Sequence, residues 1–575
     1  MPIKQLTGIF IFVISNKVFS QDISSFKEQK PFDYSGTFNV NQNAAYRSLN
    51  TSNTNPYNIF LNGSASLNFY GISLPFSFSY SNQHINYSQP FSFNQFGVQP
   101  SYKWVKAYIG YNTMSFSPYS LNGHQFLGGG IEISPKELGL KVTAMYGRLV
   151  KGVEWDSTKV SVIPYYERYA FAYKMGYNNN TGNVEVSIFK SWDKTESINA
   201  VPDSIGLSPK DNMIYTLNLE KTFVKKIKVA AEFADNALTH DTRQKSNPSQ
   251  SNGRMFFLIN QNGTTSYAKA IKGNVDYLGK SFTIGMAYER VDPGYNSLGA
   301  YYTNNDIENI AITFSKQIID GKINLSGSLG KQRNNLDKLK ISSTENFLGS
   351  LIFSFVPGNR VTLNANYSNY SFYTYMRTPF DRINSTLPYQ SIDTLNFAQI
   401  SQSAQINNSI ILGSLEEKDT RQVVSTNFSY QQSVNRQNGN NILGNSSFYQ
   451  GAVTYALTLV PRNFTISSNL IGFYSKVDAS NDIVMFGPSF GISKSFCDKK
   501  ITTNTSAAYN LSYKNSVFFG DVFSVRISGG YSHQKTHKIG FSFCFIHKTD
   551  KAEIQKKRLV EFCGNINYSY SLSKQ

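Results

Sequence analysis

The residues best placed to form a covalent bond are Cys544 and Cys563, two of the three cysteines in the chain. They fall on consecutive predicted strands, near 538–547 and 557–572, and on the same face of each. If those strands form a hairpin that sets the two residues opposite each other, a disulfide can join them in an oxidising compartment. Two free buried thiols are the alternative. Cys497 lies at a predicted turn, and no Cys-X-X-Cys motif occurs.

No motif in the chain marks a catalytic, cofactor or metal site. His533 and His537, two of the six histidines, are close in sequence, but they flank a predicted turn rather than sharing a helix. No His-Glu-X-X-His sequence, nucleophile elbow or glycine-rich phosphate loop occurs. We therefore expect no catalytic residue, no cofactor and no metal. The abundance of Ser and Asn leaves one alternative open, a hydrolase with its Ser and His on a strand.

The first residues have the pattern of a removable export signal. A positive charge precedes an apolar run, Leu6–Ile14, and Val18 and Ser20 fit a cleavage site before Gln21. The run is too short to cross a hydrocarbon core of ~30 Å, which disfavours the alternative of an N-terminal membrane helix. We therefore expect residues 1–20 to be a signal peptide that the mature protein lacks.

The composition fits a chain that is solvated by water on one side and by lipid on the other. Aromatic residues make up 14% of the chain, with 37 Tyr and 43 Phe, yet charged residues make up only 16%. Soluble domains average about 25% charged residues. The aromatic content excludes a disordered chain, and the mean hydropathy of −0.33 excludes a helical membrane protein. Strands that turn one face to lipid and the other to water need this mixture.

The net charge of +18 is spread along the chain rather than grouped into a groove, so nucleic acid is not an expected partner. For an exported protein, anionic lipid head groups, anionic solutes and acidic surfaces of other proteins remain as expected partners. The largest local excess of basic residues, Lys548–Arg558, is interpreted as a solvated loop.

Alternation with a period of two recurs along the chain after the signal. In Pro75–Asn82, Phe and Tyr occupy every second position and Ser the positions between them. Val361–Ser368 alternates apolar residues with Thr, Asn and Ser in the same way. Because successive side chains of a strand point to opposite faces, each such segment predicts a strand with one apolar and one polar face. A soluble β-sandwich can show the same alternation, but not normally over so long a chain without a domain break.

Short and long connections alternate between the predicted strands. Asp320-Gly321-Lys322 and Pro357-Gly358-Asn359 have the residues of tight turns, whereas Leu238–Gly263 and Tyr375–Leu395 are long polar loops. Pairing each turn with a loop predicts about 26 strands, within a range of about 22 to 28. An even number of strands is what a closed up-and-down barrel in a single bacterial chain requires.

In these features the chain resembles the outer-membrane β-barrel proteins of Gram-negative bacteria as a class. The resemblance implies a short periplasmic segment at 21–33 and a single all-β, antiparallel transmembrane barrel over 34–575. It also implies a location in the cell outer membrane and contact with outer-membrane lipids. The strand pattern is weakest over 90–98 and 396–413. One feature departs from the class: such barrels usually end on an aromatic residue, whereas here a polar tail, 573–575, follows the last alternating segment.

The least generic segment lies between two predicted strands and combines aromatic residues, a proline and a glycine triplet. The residues that define it are Phe116, Pro118, Tyr119, His124, Phe126, Gly128, Gly129 and Gly130. One interpretation is a loop that folds into the barrel and constricts it, with glycines that let a chain or ligand approach the wall closely. The other is a structured extracellular loop followed by a strand that the glycines bend.

A set of charged residues falls on the polar faces of the predicted strands, which we expect to line the lumen. They are Lys141, Glu220, Lys228, Glu232, Glu289, Arg526 and Glu561. The same alternation directs Cys544 and Cys563 inward. Both signs of charge occur, which favours a polar, water-accommodating interior without strong charge selection. Scattered salt-bridged pairs with no transport role are the alternative.

The function favoured by these features is a channel or transport protein for solutes or macromolecules. Barrels of 16–18 strands already leave an aqueous channel, and about 26 strands enclose a wider lumen. The segment at 21–33 is too short for a folded plug, so we expect inward loops or another protein to narrow the lumen. The first alternative is a non-conducting barrel subunit or docking platform of an outer-membrane secretion or assembly complex. The second is a barrel-embedded hydrolase.

Overall fold

A computed structural model of the chain shows a closed antiparallel β-barrel. The described residues are 31–573 except 49–56, 83–94, 136, 156–163, 180, 200, 203–204, 246–257, 339–344, 370–398, 415–418, 438–439, 442–445, 478–480, 535 and 552–556. The expected signal peptide at 1–20 and most of the segment at 21–33 lie outside them.

The described strands follow one another around the barrel in chain order. The first fourteen are β1 Phe32–Arg47, β2 Tyr57–Phe69, β3 Ile72–Ser81, β4 Gln95–Val98, β5 Ser101–Tyr102, β6 Val105–Ser115, β7 Asn122–Ile133, β8 Leu140–Val150, β9 Glu167–Asn179, β10 Gly182–Lys194, β11 Asp211–Phe223, β12 Ile227–Thr239, β13 Thr265–Leu278 and β14 Phe282–Val291. The other fourteen are β15 Ile307–Ile318, β16 Ile323–Arg333, β17 Glu345–Phe355, β18 Val361–Ser368, β19 Gln399–Leu412, β20 Thr420–Gln437, β21 Asn440–Asn441, β22 Ser446–Leu459, β23 Phe464–Val477, β24 Asn481–Phe496, β25 Ile501–Lys514, β26 Val517–His533, β27 His537–Asp550 and β28 Lys557–Ser573.

These segments make a barrel of 26 strands within the described residues. The short β4 and β5 lie end to end between β3 and β6 and share one position in the wall. The two-residue β21 only extends the end of β20. The prediction of an antiparallel up-and-down barrel of about 26 strands is therefore confirmed, although β4 covers only part of the predicted strand at 90–98.

The ring closes where the first strand meets the last. β1 pairs with β28 in antiparallel register from Ser35 opposite Ser573 to Arg47 opposite Glu561. An ion pair between the side chains of Arg47 and Glu561 lies at one end of this seam. Because every described wall strand has a neighbour on both sides, no row of backbone N–H and C=O groups is left as a free sheet edge.

An apolar belt covers the outside of the ring. On β14 the exposed apolar residues Phe282, Ile284 and Met286 occupy alternate positions, and Thr283 and Gly285 between them point inward. Large apolar side chains exposed in this way around a closed ring are stable when hydrocarbon surrounds them. The chain is therefore an integral protein of the outer membrane.

The two ends of the barrel differ in the length of their connections. At the end that holds the start of β1, most turns are short, such as Tyr70-Gly71, where both residues have positive φ. Longer loops occupy the opposite end, which we assign to the extracellular side. The predicted asymmetry fails at Asn515-Ser516, a two-residue turn at the long-loop end. Its φ angles of 50° and 64° fit a type I′ hairpin turn.

Helical structure is sparse in the described residues. A single 3-10 turn is described at Thr195–Ser197, in the connection between β10 and β11. No helix in the described part of the chain is long and apolar enough to span a membrane.

A disulfide joins β27 and β28. The register places Cys544 directly opposite Cys563, with 5.0 Å between their Cα atoms. The bridge faces inward, beside the buried side chains of Val522 and Ile546. Cys497 is exposed in the turn between β24 and β25 and is a free thiol.

Replacing a lipid-facing residue at mid-barrel should destabilise the protein far more than replacing its inward neighbour. We expect Phe543→Lys, at an exposed position in the middle of β27, to lower the free energy of unfolding by about 2–4 kcal/mol, because the new charge faces hydrocarbon. Ser542→Lys should have a small effect, since its side chain points into water. Urea titration in phospholipid vesicles measures both variants. Equal losses of stability would contradict the assignment of faces.

The register of β27 and β28 predicts which of the three cysteines carry a free, reactive thiol. Iodoacetamide added to unfolded, non-reduced protein should alkylate Cys497 alone of the three cysteines, and all three after reduction. Mass spectrometry of the intact chain and of its peptides reads both states. Alkylation of Cys544 or Cys563 without reductant would show that the bridge does not form.

Candidate lumen constriction

Two loops at the long-loop end turn into the barrel instead of away from it. The first inner loop spans residues 116–121 between β6 and β7, and the second inner loop spans 292–306 between β14 and β15. Their aromatic side chains Phe116, Tyr119 and Tyr295 are buried. They pack with inward residues of the wall from β6 to β15 in one apolar cluster. The loops therefore cover part of the inner wall.

The first inner loop is folded by its own backbone. The N–H of Phe116 donates to the carbonyl of Leu121 at 2.9 Å, and the N–H of Ser120 donates to the carbonyl of Ser117 at 3.2 Å. Pro118 occupies the second position of the turn from Ser117 to Ser120, where its fixed φ is favourable. Pro118 is exposed while its neighbours are buried. The loop is thus a compact cap with the proline at its tip.

Two carboxylates of the inner wall hold the first inner loop. The Ser117 hydroxyl donates to Glu232 of β12 at 2.5 Å, and the Tyr119 hydroxyl donates to Glu289 of β14 at 2.7 Å. Burial, and then the nearby Glu289 carboxylate, raise the pKa of Tyr119, so the phenol stays protonated and remains a donor. Because the loop begins at β6, these bonds carry it across the inner face of several strands.

The second inner loop locks the first in place. The Tyr295 hydroxyl donates to the carbonyl of Tyr119 at 2.7 Å, and the Ser297 hydroxyl donates to the carbonyl of Ser120 at 2.6 Å. The rings of Tyr119 and Tyr295 meet edge to face with 6.2 Å between centroids, a favourable arrangement for aromatic pairs. Burial raises the pKa of Tyr295 well above its ordinary value, so this phenol also acts as a donor.

Two buried asparagines on the wall anchor the second inner loop. The side-chain oxygen of Asn212 accepts from the N–H of Leu298 at 3.1 Å, and the side-chain amide of Asn236 donates to the carbonyl of Asn296 at 2.9 Å. The two amides also bond each other at 2.6 Å. This pair was not predicted from the sequence. The available signal was Asn on the inward face of two consecutive strands.

Small wall residues make room for the two loops. The inward alanines packed in this cluster are Ala170, Ala172, Ala234, Ala268 and Ala270. A Cβ added to Gly299 would lie 2.5 Å from the ring of Phe189, so only glycine permits this approach of the loop to β10. Small wall side chains, and a glycine in the loop where the wall side chain is large, therefore let the second inner loop pack closely against the wall.

The other residues of the predicted constriction segment lie on β7, beside the first inner loop. Phe126 is fully buried in the apolar cluster. His124 is buried and stacks on Tyr301 of the second inner loop, with 4.1 Å between ring centroids. Phe126 and His124 of the predicted segment therefore contact the inner loops or pack in the same cluster.

Glycine is required sterically at two of the three positions of the glycine triplet. A Cβ on Gly128 would lie 2.1 Å from the carbonyl oxygen of Tyr146, and one on Gly130 would lie 2.7 Å from the sulfur of Met114. Both glycines therefore allow close packing at the inner wall. A Cβ on Gly129 would meet nothing closer than 3.7 Å, which is an ordinary contact. The structure gives no steric reason for glycine at that position.

The predicted lumen charges divide into two groups. Glu232 and Glu289 meet at the first inner loop, as described above. The others lie along the wall: Lys141 pairs with Glu132 at 3.0 Å, Lys228 with Glu220 at 2.8 Å, and Glu561 with Arg47, while Arg526 lies opposite Cys544. In the described part of the chain, no group of three or more His, Cys, Asp or Glu side chains could hold a metal ion.

Removing the Tyr295 side chain, which packs against Tyr119, should expose the first inner loop. A cysteine placed at Ser120, which is fully buried, in a Cys497→Ser background should react slowly with a maleimide. Tyr295→Ala should raise the labelling rate at least about tenfold, because loss of a buried aromatic costs about 3–5 kcal/mol of packing. Tyr302→Ala, at an exposed position of the same loop, is the control. Equal labelling in all three proteins would contradict the interlocked arrangement.

Comparison with known proteins gives similarity in architecture only. No protein-family model and no curated protein matches the sequence. Among solved structures, the P pilus usher (PapC) translocation pore aligns over 94% of this chain and 100% of its own, with 8% identity and a TM-score of 0.40. The copper transporter OprC aligns over 94% and 80%, with 10% identity and a TM-score of 0.35. The outer-membrane protein OmpT of Vibrio cholerae aligns over 54% and 91%, with 11% identity and a TM-score of 0.29. Similarity at this level assigns no function to the chain.

Proposed function

We propose that the chain is an outer-membrane channel that passes uncharged or weakly charged hydrophilic molecules along one side of its lumen. The observation that carries the proposal is the unequal distribution of charge and inner loops around the wall. One arc of the wall is charged and covered, and another arc is neutral and polar.

The covered arc is the inner face of β7–β14. Opposite charges on it are paired: Lys174 lies 3.8 Å from Glu185, and Arg168 bonds Asp193 at 2.7 Å. The two inner loops pack over much of the same surface. Paired charges beneath a layer of loop leave little net field to attract ions. The pairing of opposite charges on this arc supports a structural role for most of the lumen charges.

The neutral arc is the inner face of β18–β25. Its described inward positions hold mainly Ser, Thr, Asn and Gln, with some Ala, Gly and apolar residues. Its two inward bases, Arg421 and Lys514, lie at or next to a strand end, and no inward acid occurs among the described residues. Hydroxyl and amide groups of neighbouring strands bond each other, as between Thr454 and Asn469 at 3.1 Å.

The chemistry of the neutral arc suits neutral hydrophilic molecules. Hydroxyl and amide groups both donate and accept hydrogen bonds, so they can exchange partners with water, sugars or other polar solutes as these pass. A barrel of 26 strands is wider than the 16–18-stranded barrels that already hold an aqueous channel. The two inner loops narrow this lumen from the covered side.

The protein should conduct ions in a planar bilayer with little preference for their sign. We expect a reversal potential near zero in a KCl gradient, because the neutral arc carries few charges. Asn469→Asp, which adds an inward carboxylate to the neutral arc, should shift the reversal potential toward cation selectivity. Asn469→Gln, which changes the side chain without adding charge, should leave it unchanged.

The same recordings test the role of the inner loops. Tyr119→Ala combined with Tyr295→Ala should give a larger or noisier conductance, since both anchors of the constriction are lost. The absence of any conductance, at every applied voltage, would contradict the proposal that the protein is a channel. An insulating barrel that co-purifies with another outer-membrane protein would favour the docking platform instead.

A further inference from the structure

We propose that the outer wall at β14–β17 binds the phosphorylated head group of an outer-leaflet lipid through Arg290, Lys331 and Arg333. This site lies outside the lumen, and its existence does not depend on what the channel passes. It is the described part of the outer wall where several accessible basic side chains meet at the upper edge of the apolar belt.

A row of charged residues crosses three neighbouring strands. Arg290 of β14 pairs in register with Glu308 of β15, and Glu308 pairs with Arg333 of β16. Along β15 the exposed residues Ile310 and Ile312 follow Glu308 at alternate positions, so Glu308 is on the face that meets lipid. The whole row therefore points outward from the barrel.

Acidic groups in the row hold the arginines in place. Glu308 accepts hydrogen bonds from the Nε of Arg333 and from the Tyr288 hydroxyl, the latter at 2.9 Å. Arg290 lies 3.9 Å from Glu308 and bonds Asp292 at 3.2 Å. The Glu308 side chain is only 10% exposed, whereas those of Arg290 and Arg333 are 38% and 56% exposed. The carboxylate is thus covered, and the two guanidinium groups face outward.

Lys331 adds a cation one step deeper in the belt. It pairs in register with Ile310 on one side and Phe347 on the other, and all three residues are exposed on the outer face. A lysine at this depth keeps its stem along apolar surface and extends its ammonium toward the head groups. Phosphate above Lys331 and acyl chains against Phe347 would satisfy both parts of this surface.

The exposed charge described in this part of the wall is mainly basic. Lys269, exposed on the outer face of β13, joins the other three bases. The acids at the same level are Asp292, Asp306, Glu308 and, by backbone register with Arg333, Glu345. Asp306 and Glu308 are buried, so the bases contribute most of the exposed charge. Basic side chains at a membrane surface attract anionic head groups. Arginine adds specificity because its planar donors match phosphate oxygens.

Other sections of the same edge differ. The outward residues near the long-loop ends of β22 and β25 include Tyr449 and Tyr513, which belong to an ordinary aromatic girdle. On β10 and β11 the outward pair Lys190 and Asp211 is buried, beneath the loop residue Asn260, whose N–H donates to Asp211 at 3.4 Å. A lipid head group therefore has access to the cluster on β14–β16 but not to that pair.

The test measures binding of fluorescent lipid A, a phosphorylated glycolipid, to the full-length protein in neutral detergent micelles by fluorescence anisotropy. Lys331→Gln should weaken binding severalfold. The triple variant Arg290→Gln/Glu308→Gln/Arg333→Gln, which removes the cations together with the carboxylate they cover, should weaken it at least about tenfold. Lys316→Gln, on the same outer face at the opposite end of β15, is the matched control and should bind as the unmodified protein does. Heat-dependent gel mobility verifies that each variant is folded.

Three results would overturn the proposal. The first is undiminished binding by the triple variant. The second is equal binding of dephosphorylated lipid A, which would show that acyl chains alone are recognised. The third is binding of inorganic phosphate as tight as that of the lipid, which would make the cluster a general anion site rather than a lipid site.

Discussion

Closure of the ring between β1 and β28 is the constraint on which the rest of the structure depends. In hydrocarbon no water can satisfy an unpaired backbone N–H or C=O, and each such group costs several kcal/mol. The register from Ser35–Ser573 to Arg47–Glu561 pairs these groups across the seam. Once the ring is closed, every strand has one face toward lipid and one toward an enclosed lumen, so both the apolar belt and the inner loops become possible.

The lumen is organised by a second constraint, the need of buried polar groups for partners. The inner loops bury the hydroxyls of Ser117 and Tyr119, and both find carboxylates on the wall. The backbone of the second inner loop finds Asn212 and Asn236. These partners all lie on one part of the wall, so the two inner loops pack against that part. The neutral arc of β18–β25 contributes no residue to their apolar cluster. The same need for partners is met on the outer wall at Glu308. Its carboxylate is covered by basic side chains that themselves remain exposed.

The sequence predicted the barrel well because strand alternation is a local signal. Period two assigns a face to each residue without knowledge of its neighbours, and this placed Cys544 opposite Cys563 and gave the strand number. It was weaker where the alternation is interrupted, as between β4 and β5, and where two residues with positive φ, Asn515 and Ser516, replace a long loop. The second inner loop was not predicted. Its contacts join Tyr295 to Tyr119 and Asn236 to Asn296 across distant parts of the chain, and a single sequence carries no local signal for such pairs.

The most direct test of this account is a disulfide cross-link engineered across the closing seam. Asn39 and Ser569 are paired in register and both point inward, so cysteines at these two positions in a Cys497→Ser background should form a bond in folded protein. Cysteines at Asn39 and Tyr568, one residue out of register and on opposite faces, should not. A cross-link confined to the first pair is the predicted result. Failure of the first pair to cross-link, or equal cross-linking of both, would contradict a ring closed in this register.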